Sequence, residues 1–213
     1  MKILAIGAHA DDVELGCGGS LLAWARAGHE IVIHVASDSA YAAPDGRPVR
    51  TVEVAIAEAQ ASARAIGARL EIGSFRCLEL EARKPLNDAM VSLIARENPD
   101  VLLSHWAGDT HSDHAALSMA VLHAARRVPT VLLYASNAYP GAQTFDPRVF
   151  VDISAVLEEK LELVALHQSE DTRTNGAWRR WLQAEAVIMG HKAGCAVAEG
   201  FVLVRQLLAL PSL

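Results

Sequence analysis

A segment near the start of the chain combines side chains that could bind a metal ion and move a proton. Residues 7–19 read GAHADDVELGCGG and place His9, Asp11 and Asp12 directly after the apolar run KILAI. Adjacent carboxylates can divide roles, since one can bind a metal while the other accepts a proton from water. On its own the segment is weak evidence, because a single loop His or Asp is more often structural or solvated.

A second segment carries the same residue types about a hundred residues later. Residues 105–114 read HWAGDTHSDH and contain His111, Asp113 and His114. An isolated HxxH pair could lie at a solvated helix start, where Asp113 would only be a favourable charge. Together, however, the two segments offer imidazole and carboxylate ligands without a thiolate at matching spacing, which favours Zn²⁺ or another borderline divalent metal. Three such ligands with an open fourth position are typical of catalytic sites.

The elements that must position these segments follow from an alternation of strand and helix patterns. We predict strands at residues 2–8, 30–38, 69–75, 100–105 and 130–136. Helices are predicted between them, at residues 18–29, 50–66, 85–99 and 113–127. This order predicts an α/β fold, a Rossmann-like, mostly parallel sheet with helices on both faces.

The remaining predictions concern helix ends and the C-terminal third. In the first helix, Ser20 is a candidate N-cap and Gly28 a candidate C-terminal stop. The tail is predicted as a strand, a helix, a polar stretch, a helix and a strand, with the regular elements at 148–154, 155–167, 178–194 and 198–205. Since no repeat, low-complexity segment or linker is evident, we predict a single domain over residues 1–213.

The predicted topology brings the two polar segments together. Ligands of open α/β sheets bind beyond the carboxyl ends of the strands, where the strand order reverses. One segment follows the first predicted strand and the other follows the fourth. Those strands can be neighbours in a Rossmann-like order, so we expect one joint site.

Composition excludes several classes of partner. The net charge is −6 and the Lys and Arg residues are dispersed, which disfavours nucleic acid as a ligand. The longest apolar runs are too short to span a bilayer, so no membrane insertion is expected. The three cysteines are scattered and form no disulfide framework. With no signal-peptide pattern at the N-terminus, we expect a cytoplasmic protein.

Both polar segments resemble signatures of one enzyme family. AHADDVELGCGG is similar to the AHPDDxELGCGG motif of the PIG-L (LmbE-like) zinc-dependent N-deacetylases, and DTHSDH is similar to their DxHxDH motif. Weaker matches follow in the family's order, at EAQASARAIG, FVDIS, KLELVALHQSE and AEGF. The resemblance covers nearly the whole chain, and its two metal motifs are the specific part.

The resemblance implies a division of roles in a metal-dependent hydrolase. His9, Asp12 and His114 would hold Zn²⁺, with Fe²⁺ or another divalent metal as alternatives. Asp11 would be the general base that deprotonates the attacking water. The enzyme would remove an acetyl or other small acyl group from the amine of a small molecule.

Three further residues receive supporting roles from the same comparison. His111 would stabilise the oxyanion or protonate the leaving amine, and Asp113 would orient and charge it. Glu14 would orient a ligand or loop amides. The glycines between residues 16 and 19 would let the backbone turn tightly and let the next helix pack closely.

The substrate side of the resemblance is less complete. Ala55 stands where the family often has an arginine, and Arg50 is more than a turn away from that position. Cys77 stands near an expected aspartate, and a thiol is a poor partner for sugar hydroxyls. An N-acetyl amino-sugar conjugate is the leading substrate class, and a homo-oligomer is left open.

Several residues have a functional and a structural interpretation of similar weight. His167 and Ser169 could line the rim of the site or support it. Trp178 and Trp181 could form a substrate wall, although core or interface packing is the stronger interpretation. Trp106 could shape the pocket.

Two rival functions remain. VELGCGGS resembles the glycine-rich motif of S-adenosylmethionine-dependent methyltransferases, but HADD separates it from the first strand and Ser20 replaces its final glycine. A metal-free binding module on the same fold is the second rival. A binding module has no need of the base Asp11, so the complete polar set argues against it.

Overall fold

The computed structural model describes residues 1–139 and 141–207. The elements follow the chain in this order: β1 (Lys2–Gly7), α1 (Asp12–Arg26), β2 (Glu30–Ser37), β3 (Tyr41–Ala42), β4 (Pro48–Arg50), α2 (Val52–Ile66), β5 (Arg69–Phe75), α3 (Lys84–Glu97), β6 (Val101–His105), α4 (Ser112–Ala124), β7 (Thr130–Tyr134), β8 (Val149–Asp152), α5 (Leu157–Ala165), α6 (Gln168–Arg173), α7 (Ala177–Ala193) and β9 (Ala198–Gln206). Among the described helices, none is both long and apolar enough to cross a bilayer.

A seven-stranded sheet forms the centre of the fold, in the order β5-β2-β1-β6-β7-β9-β8. The first five strands of that order pair in parallel, whereas β9 runs antiparallel to both β7 and β8. Ile3 of β1 lies opposite Val101 of β6, so the first and fourth predicted strands are neighbours. The mostly parallel α/β sheet predicted from the sequence is confirmed.

Helices cover both faces of the sheet. One apolar cluster joins the sheet to α1, α5 and α7, and includes Leu21 and Leu163. The other joins it to α3 and α4, and includes Met90 and Leu117. Strands covered on both faces must be apolar almost throughout, as in KILAI of β1. Each leucine buried in these layers contributes roughly 2 kcal/mol from the removal of apolar surface from water.

The glycine-rich segment of α1 differs from the prediction. The helix begins at Asp12, so residues 16–19 are helical rather than part of a tight turn, and Ser20 is an interior residue instead of the N-cap. A Cβ on Gly16 would lie 2.1 Å from Cδ2 of Tyr134. The glycines therefore serve close packing, as expected, but not a turn. Gly28, with φ of +82°, follows the helix as its predicted stop.

Two small elements were not predicted. The Pro- and Gly-bearing loop after β2 contains the β3–β4 hairpin, and its last residue is Arg50, which was predicted to open a helix. The polar stretch near the C-terminus contains the short helix α6. Both elements lie at the rim of the site described next.

Candidate active site

The carboxyl ends of β1 and β6 bring the two polar segments together, as the topology predicted. His9 follows β1, and Asp12 opens α1 directly after it. His111 and His114 lie at the start of α4, after the loop that follows β6. These side chains and Asp11 line a cleft of about 400 Å³.

The three side chains predicted to bind a metal point their polar atoms at one another. His9 Nδ1 lies 3.2 Å from Asp12 Oδ2, and His114 Nε2 lies 3.2 Å from Asp12 Oδ1. The two ring nitrogens are 3.3 Å apart. Ligand atoms about 2.0–2.1 Å from a tetrahedral ion lie about 3.3–3.4 Å from each other. The spacing of the two nitrogens thus suits a divalent metal, and each nitrogen lies near a different oxygen of Asp12. Ligand atoms of His9, His111 and His114 also lie within 4.8 Å of one another, so His111 is a further candidate ligand.

A second layer of carboxylates fixes both imidazoles. His9 Nε2 lies 3.0 Å from Asp113 Oδ2, and His114 Nδ1 lies 2.8 Å from Asp109 Oδ2. A carboxylate at one ring nitrogen holds the proton there and leaves the other nitrogen's lone pair for a metal. Asn137 donates to both oxygens of Asp109 and so holds that carboxylate in place.

Asp113 has a different partner from the one predicted. Its carboxylate accepts from His9 and from the main-chain N–H groups of Leu78 (2.7 Å) and Leu80 (3.2 Å), rather than orienting His111. The connection to His111 runs instead through the backbone, since the Asp113 N–H donates to His111 Nδ1 at 3.2 Å. The physical reason is position, because in the first turn of α4 the carboxylate lies against His9 and the backbone N–H groups of residues 78 and 80.

The electrostatics of the cluster favour bound positive charge. Burial alone would lower the pKa of His9, but hydrogen bonds with Asp113 and Asp12 raise it well above its usual range. Burial likewise opposes protonation of His114, yet the charge of Asp12 and the hydrogen bond with Asp109 raise its pKa to about 9. Buried carboxylates raise the pKa of both histidines. A divalent cation can balance the negative charge of these carboxylates in place of protons.

His105 is another imidazole within reach of the cluster. One of its ring nitrogens lies within 4.8 Å of ligand atoms of Asp12 and His114. However, Nε2 already accepts the N–H of Ala8 at 3.0 Å. Burial lowers the pKa of His105 to about 4. His105 is fully buried and does not line the cleft, whereas His9 does, so His9 stays the predicted ligand.

Asp11 forms a buried ion pair that was not predicted. Its Oδ2 accepts from Arg50 Nη1 at 2.8 Å, and Arg50 Nε donates to the carbonyl of Ser39 at 2.8 Å. Burial would raise the pKa of Asp11, but the positive charge of Arg50 outweighs it and lowers the pKa. Arg50 reaches the cleft from β4 and not from the helix that contains Ala55. Its separation from Ala55 along the chain therefore does not keep it out of the site.

Among the residues that the structure describes, the polar partners of Glu14 are neither a predicted metal ligand nor loop amides, contrary to expectation. Its Oε1 accepts from the hydroxyl of Ser62 and lies 3.5 Å from Nε2 of His167. His167 is fully buried, and both Ser169 N–H and Oγ donate to Glu58, at 2.7 and 2.8 Å. These contacts favour the structural interpretation of Ser169, whereas neither ring nitrogen of His167 has a hydrogen-bond partner among the described residues.

Aromatic side chains form much of the cleft wall. Tyr41, Tyr139, Trp178 and Trp181 line it together with Cys77, Glu170 and Arg173. Tyr41 donates its hydroxyl proton to Glu170 at 2.5 Å, which ties the β3–β4 hairpin to α6. Trp106 instead packs against Phe145, with ring centroids 5.6 Å apart, and lines an adjoining cavity of about 440 Å³.

Comparisons with known proteins agree on one family. The family model described as PIG-L: GlcNAc-PI de-N-acetylase matches residues 4–125, more than half of the chain. The diacetylchitobiose deacetylase of Thermococcus kodakarensis is 28% identical, over 95% of this chain and 83% of its own. The uncharacterized deacetylase YaiS of Escherichia coli K12 is 33% identical, over 78% of this chain and 90% of its own.

A solved structure shares the fold. The N,N'-diacetylchitobiose deacetylase from Pyrococcus horikoshii, in complex with its inhibitor MPG, superposes with a TM-score of 0.79. The superposition covers 95% of this chain and 83% of that enzyme, at 22% sequence identity. Neither the methyltransferase nor the metal-free binding module receives support from these comparisons.

Proposed function

Because this chain belongs to the PIG-L family of N-deacetylases, we propose that it uses a divalent metal, Zn²⁺ first among the candidates, to hydrolyse the acetamide of an N-acetylated amino-sugar conjugate. One observation carries the proposal. In the same cleft, the buried carboxylate of Asp11 adjoins the converging ring nitrogens of His9 and His114 and both carboxylate oxygens of Asp12. A base next to an open metal site is the arrangement that amide hydrolysis needs.

His9, Asp12 and His114 would hold the ion. Bound there, it would polarise the amide carbonyl and make the attacking water more acidic. Asp113 and Asp109 contribute by keeping the two imidazoles in the tautomers that leave a lone pair toward the cleft.

Asp11 is the group that moves the proton. Arg50 binds Oδ2, which leaves Oδ1 for the attacking water. The water oxygen bonds to the acyl carbon, and Asp11 takes the proton that is released. The carbon–nitrogen bond then breaks, and the proton on Asp11 passes to the amine nitrogen. The cation of Arg50 keeps Asp11 ionised and ready for the next turnover.

His111 is assigned to the carbonyl oxygen. Because its Nδ1 accepts the Asp113 N–H, the neutral ring carries its proton on Nε2. Burial and the nearby His114 lower the pKa of His111, so the neutral donor form prevails. A neutral imidazole N–H donates to a developing oxyanion, whereas protonation of the amine falls to Asp11.

The cleft wall supports a sugar as the substrate. Aromatic faces, here of Trp178, Trp181 and Tyr139, pack against the apolar faces of sugar rings, while Arg173 and Glu170 offer polar contacts. The named activity of the Thermococcus relative, diacetylchitobiose deacetylation, motivates the first compounds to test. Ala55 and Cys77 stand where the family often has an arginine and an aspartate. We therefore expect this chain to bind the sugar hydroxyls through other residues than its relatives do.

The test is free-amine and acetate release from a panel of N-acetylated amino sugars. It includes N-acetylglucosamine, N,N'-diacetylchitobiose and an N-acetylglucosaminyl lipid conjugate, with N-acetyl amino acids as the control class. We expect equimolar acetate and amine from at least one sugar, and abolition by a metal chelator. Turnover of the amino acids alone would contradict the substrate class, and no release from metal-loaded protein would contradict the reaction.

A further inference from the structure

Cys77 lies beside His9, next to the Asp113 carboxylate that fixes the ring. A ligand atom of each of Cys77, His9 and Asp113 lies within 4.8 Å of the other two. His9 Nε2 and Asp113 Oδ2 are 3.0 Å apart, and both residues are buried. Cys77 is half-buried and lines the cleft, so ions in solution can reach its thiol. Thiolate, imidazole and carboxylate together form a metal-binding donor set.

The backbone holds the thiol near this pair. The N–H of Cys77 donates to Asp38 Oδ1 at 3.1 Å. The next residue, Leu78, has a φ of +66° and donates its N–H to Asp113 at 2.7 Å. A non-glycine residue in the left-handed region persists only where neighbouring contacts hold it. The segment is therefore fixed to the same carboxylate that would share an ion with the thiol.

We propose that Cys77, His9 and Asp113 form a second metal site, selective for thiophilic ions such as Cd²⁺ or excess Zn²⁺, whose occupation inhibits the enzyme. Thiolate ligands favour soft and borderline cations over hard ones such as Mg²⁺. The inhibitory part of this inference rests on the proposed function, since it takes His9 as a ligand of the first site.

The two sites compete because they use opposite nitrogens of one imidazole. A neutral imidazole carries its proton on one nitrogen and its lone pair on the other. Binding at Nε2 moves the ring proton of His9 to Nδ1, so the bond between Nδ1 and the ion of the first site breaks and that ion passes to solvent. The thiol of Cys77 releases its proton to water. The proton on Nδ1 then takes the lone pair that the first site needs. Occupation of the thiol site thus weakens metal binding at the first site.

The experiment titrates the metal-loaded enzyme with Cd²⁺ and follows two signals. One is the ultraviolet charge-transfer absorption of a cadmium–thiolate bond, which requires no substrate. The other is the rate of acetate release, scaled to the uninhibited rate of each variant. Cys77→Ser and Cys77→Ala are the test variants. Cys195→Ser is the matched control, since Cys195 is also half-buried but lies after α7.

We expect the wild type and Cys195→Ser to show the band, saturating at about one equivalent of Cd²⁺, and to lose activity in parallel. Both Cys77 variants should lack the band and need at least about tenfold more Cd²⁺ for half-inhibition. A wild type without the band, or a band that survives in both Cys77 variants, would overturn the site. A band on Cys77 with an unchanged rate would overturn the competition. If no substrate is turned over, the band still tests the site independently of the proposed function.

Discussion

Each imidazole of the cluster is fixed through the nitrogen that it does not offer to a metal. Asp109 holds Nδ1 of His114 and Asp113 holds Nε2 of His9, so both rings present their remaining nitrogen toward Asp12. Asp109 has little solvent contact, and burial would raise its pKa, but hydrogen bonding and charge from His114 lower it to about 2. It therefore stays ionised as a partner of His114.

Replacing Asp109 should weaken metal binding without removing a ligand. Asp109→Asn keeps the shape of the side chain but loses the charge that holds the His114 tautomer, so we expect affinity for Zn²⁺ to fall by about 10–100-fold. His114→Ala removes a ligand and should have a larger effect. Competition with a chromophoric chelator measures both. Asp146→Asn, at an exposed position beside Arg148, is the control. Wild-type affinity in Asp109→Asn would contradict the orienting role.

The residue scale shows what a linear pattern can and cannot reveal. Alternating strands predicted that His9 and His114 would meet, because β1 and β6 end at one edge of the sheet. Asp109 is the first residue of the DTHSDH motif, two residues before His111. Its place in that motif could have identified it as a residue of the site. Arg50 gave no such signal, since it reaches Asp11 through a hairpin that sequence patterns did not indicate.

Helix α1 begins at Asp12, the proposed ligand, and Asp11, the proposed base, directly precedes it. The position of this helix depends on its glycines. Gly16 lies against the ring of Tyr134, whose hydroxyl donates to the carbonyl of Ile6 in β1 at 2.8 Å. A Cβ on Gly19 would lie 3.0 Å from Ile153. Glycine lowers helix propensity by about 1 kcal/mol per residue. The close packing of α1 on the sheet offsets that cost.

Two glycines one half-turn apart should respond oppositely to the same substitution. Gly16→Ala places a methyl group inside the Tyr134 ring, so we expect the free energy of unfolding to fall by about 1–3 kcal/mol or more. Gly18→Ala is the control, because the nearest atom to its added Cβ is 3.6 Å away. That variant should gain about 0.5–1 kcal/mol from helix propensity. Urea unfolding measures both, and equal effects would contradict the packing account.

Most elements could be predicted because their apolar residues recur at regular spacing and Gly or Pro residues mark their ends. Helix α2 ends at Ile66, the predicted last residue, and Gly67, with φ of +79°, follows it as the C-cap. The start of α1 was missed because Gly16, Gly18 and Gly19 read as a turn, whereas in the structure they lie in the helix and pack against Tyr134, Leu163 and Ile153. Helix α6 was missed because six polar residues have no apolar period, and Glu58 stabilises its first turn from another helix.

At the scale of the whole molecule, one buried histidine away from the site should make folding sensitive to acid. His34 lies in β2, is 6% exposed, and has an Nδ1 without a hydrogen-bond partner among the described residues. Burial lowers its pKa to about 4, although the charge of Glu71, 3.8 Å away, partly opposes this. A histidine with a depressed pKa resists protonation only in the folded state.

The sign of the pH effect follows from linkage. Above the unfolded pKa of about 6.5, His34 is neutral in both states and does not reduce the free energy of unfolding. As the pH falls toward 4, the free energy of unfolding decreases by up to about 3 kcal/mol, because only the unfolded state takes up the proton. His34→Leu should therefore lose less stability than the wild type between pH 7 and pH 4. His123→Gln, at an exposed position of α4, is the control. Parallel pH profiles for the wild type and His34→Leu would contradict the assignment.

The arrangement of the chain as a single domain, its cytoplasmic location and any homo-oligomer remain predictions. We propose that two adjacent carboxylates have different roles, with Asp12 binding the metal and Asp11 accepting the proton. Their side chains differ in partners accordingly, since Asp12 faces His9 and His114 whereas Asp11 faces Arg50.

The most direct test compares Asp11→Asn with Asp12→Asn for metal content and acetate release side by side. We predict that Asp11→Asn keeps about one metal ion per chain while its kcat falls by at least about 100-fold. Asp12→Asn should lose both metal and turnover. Near wild-type turnover in Asp11→Asn, or metal loss equal to that of Asp12→Asn, would contradict the account.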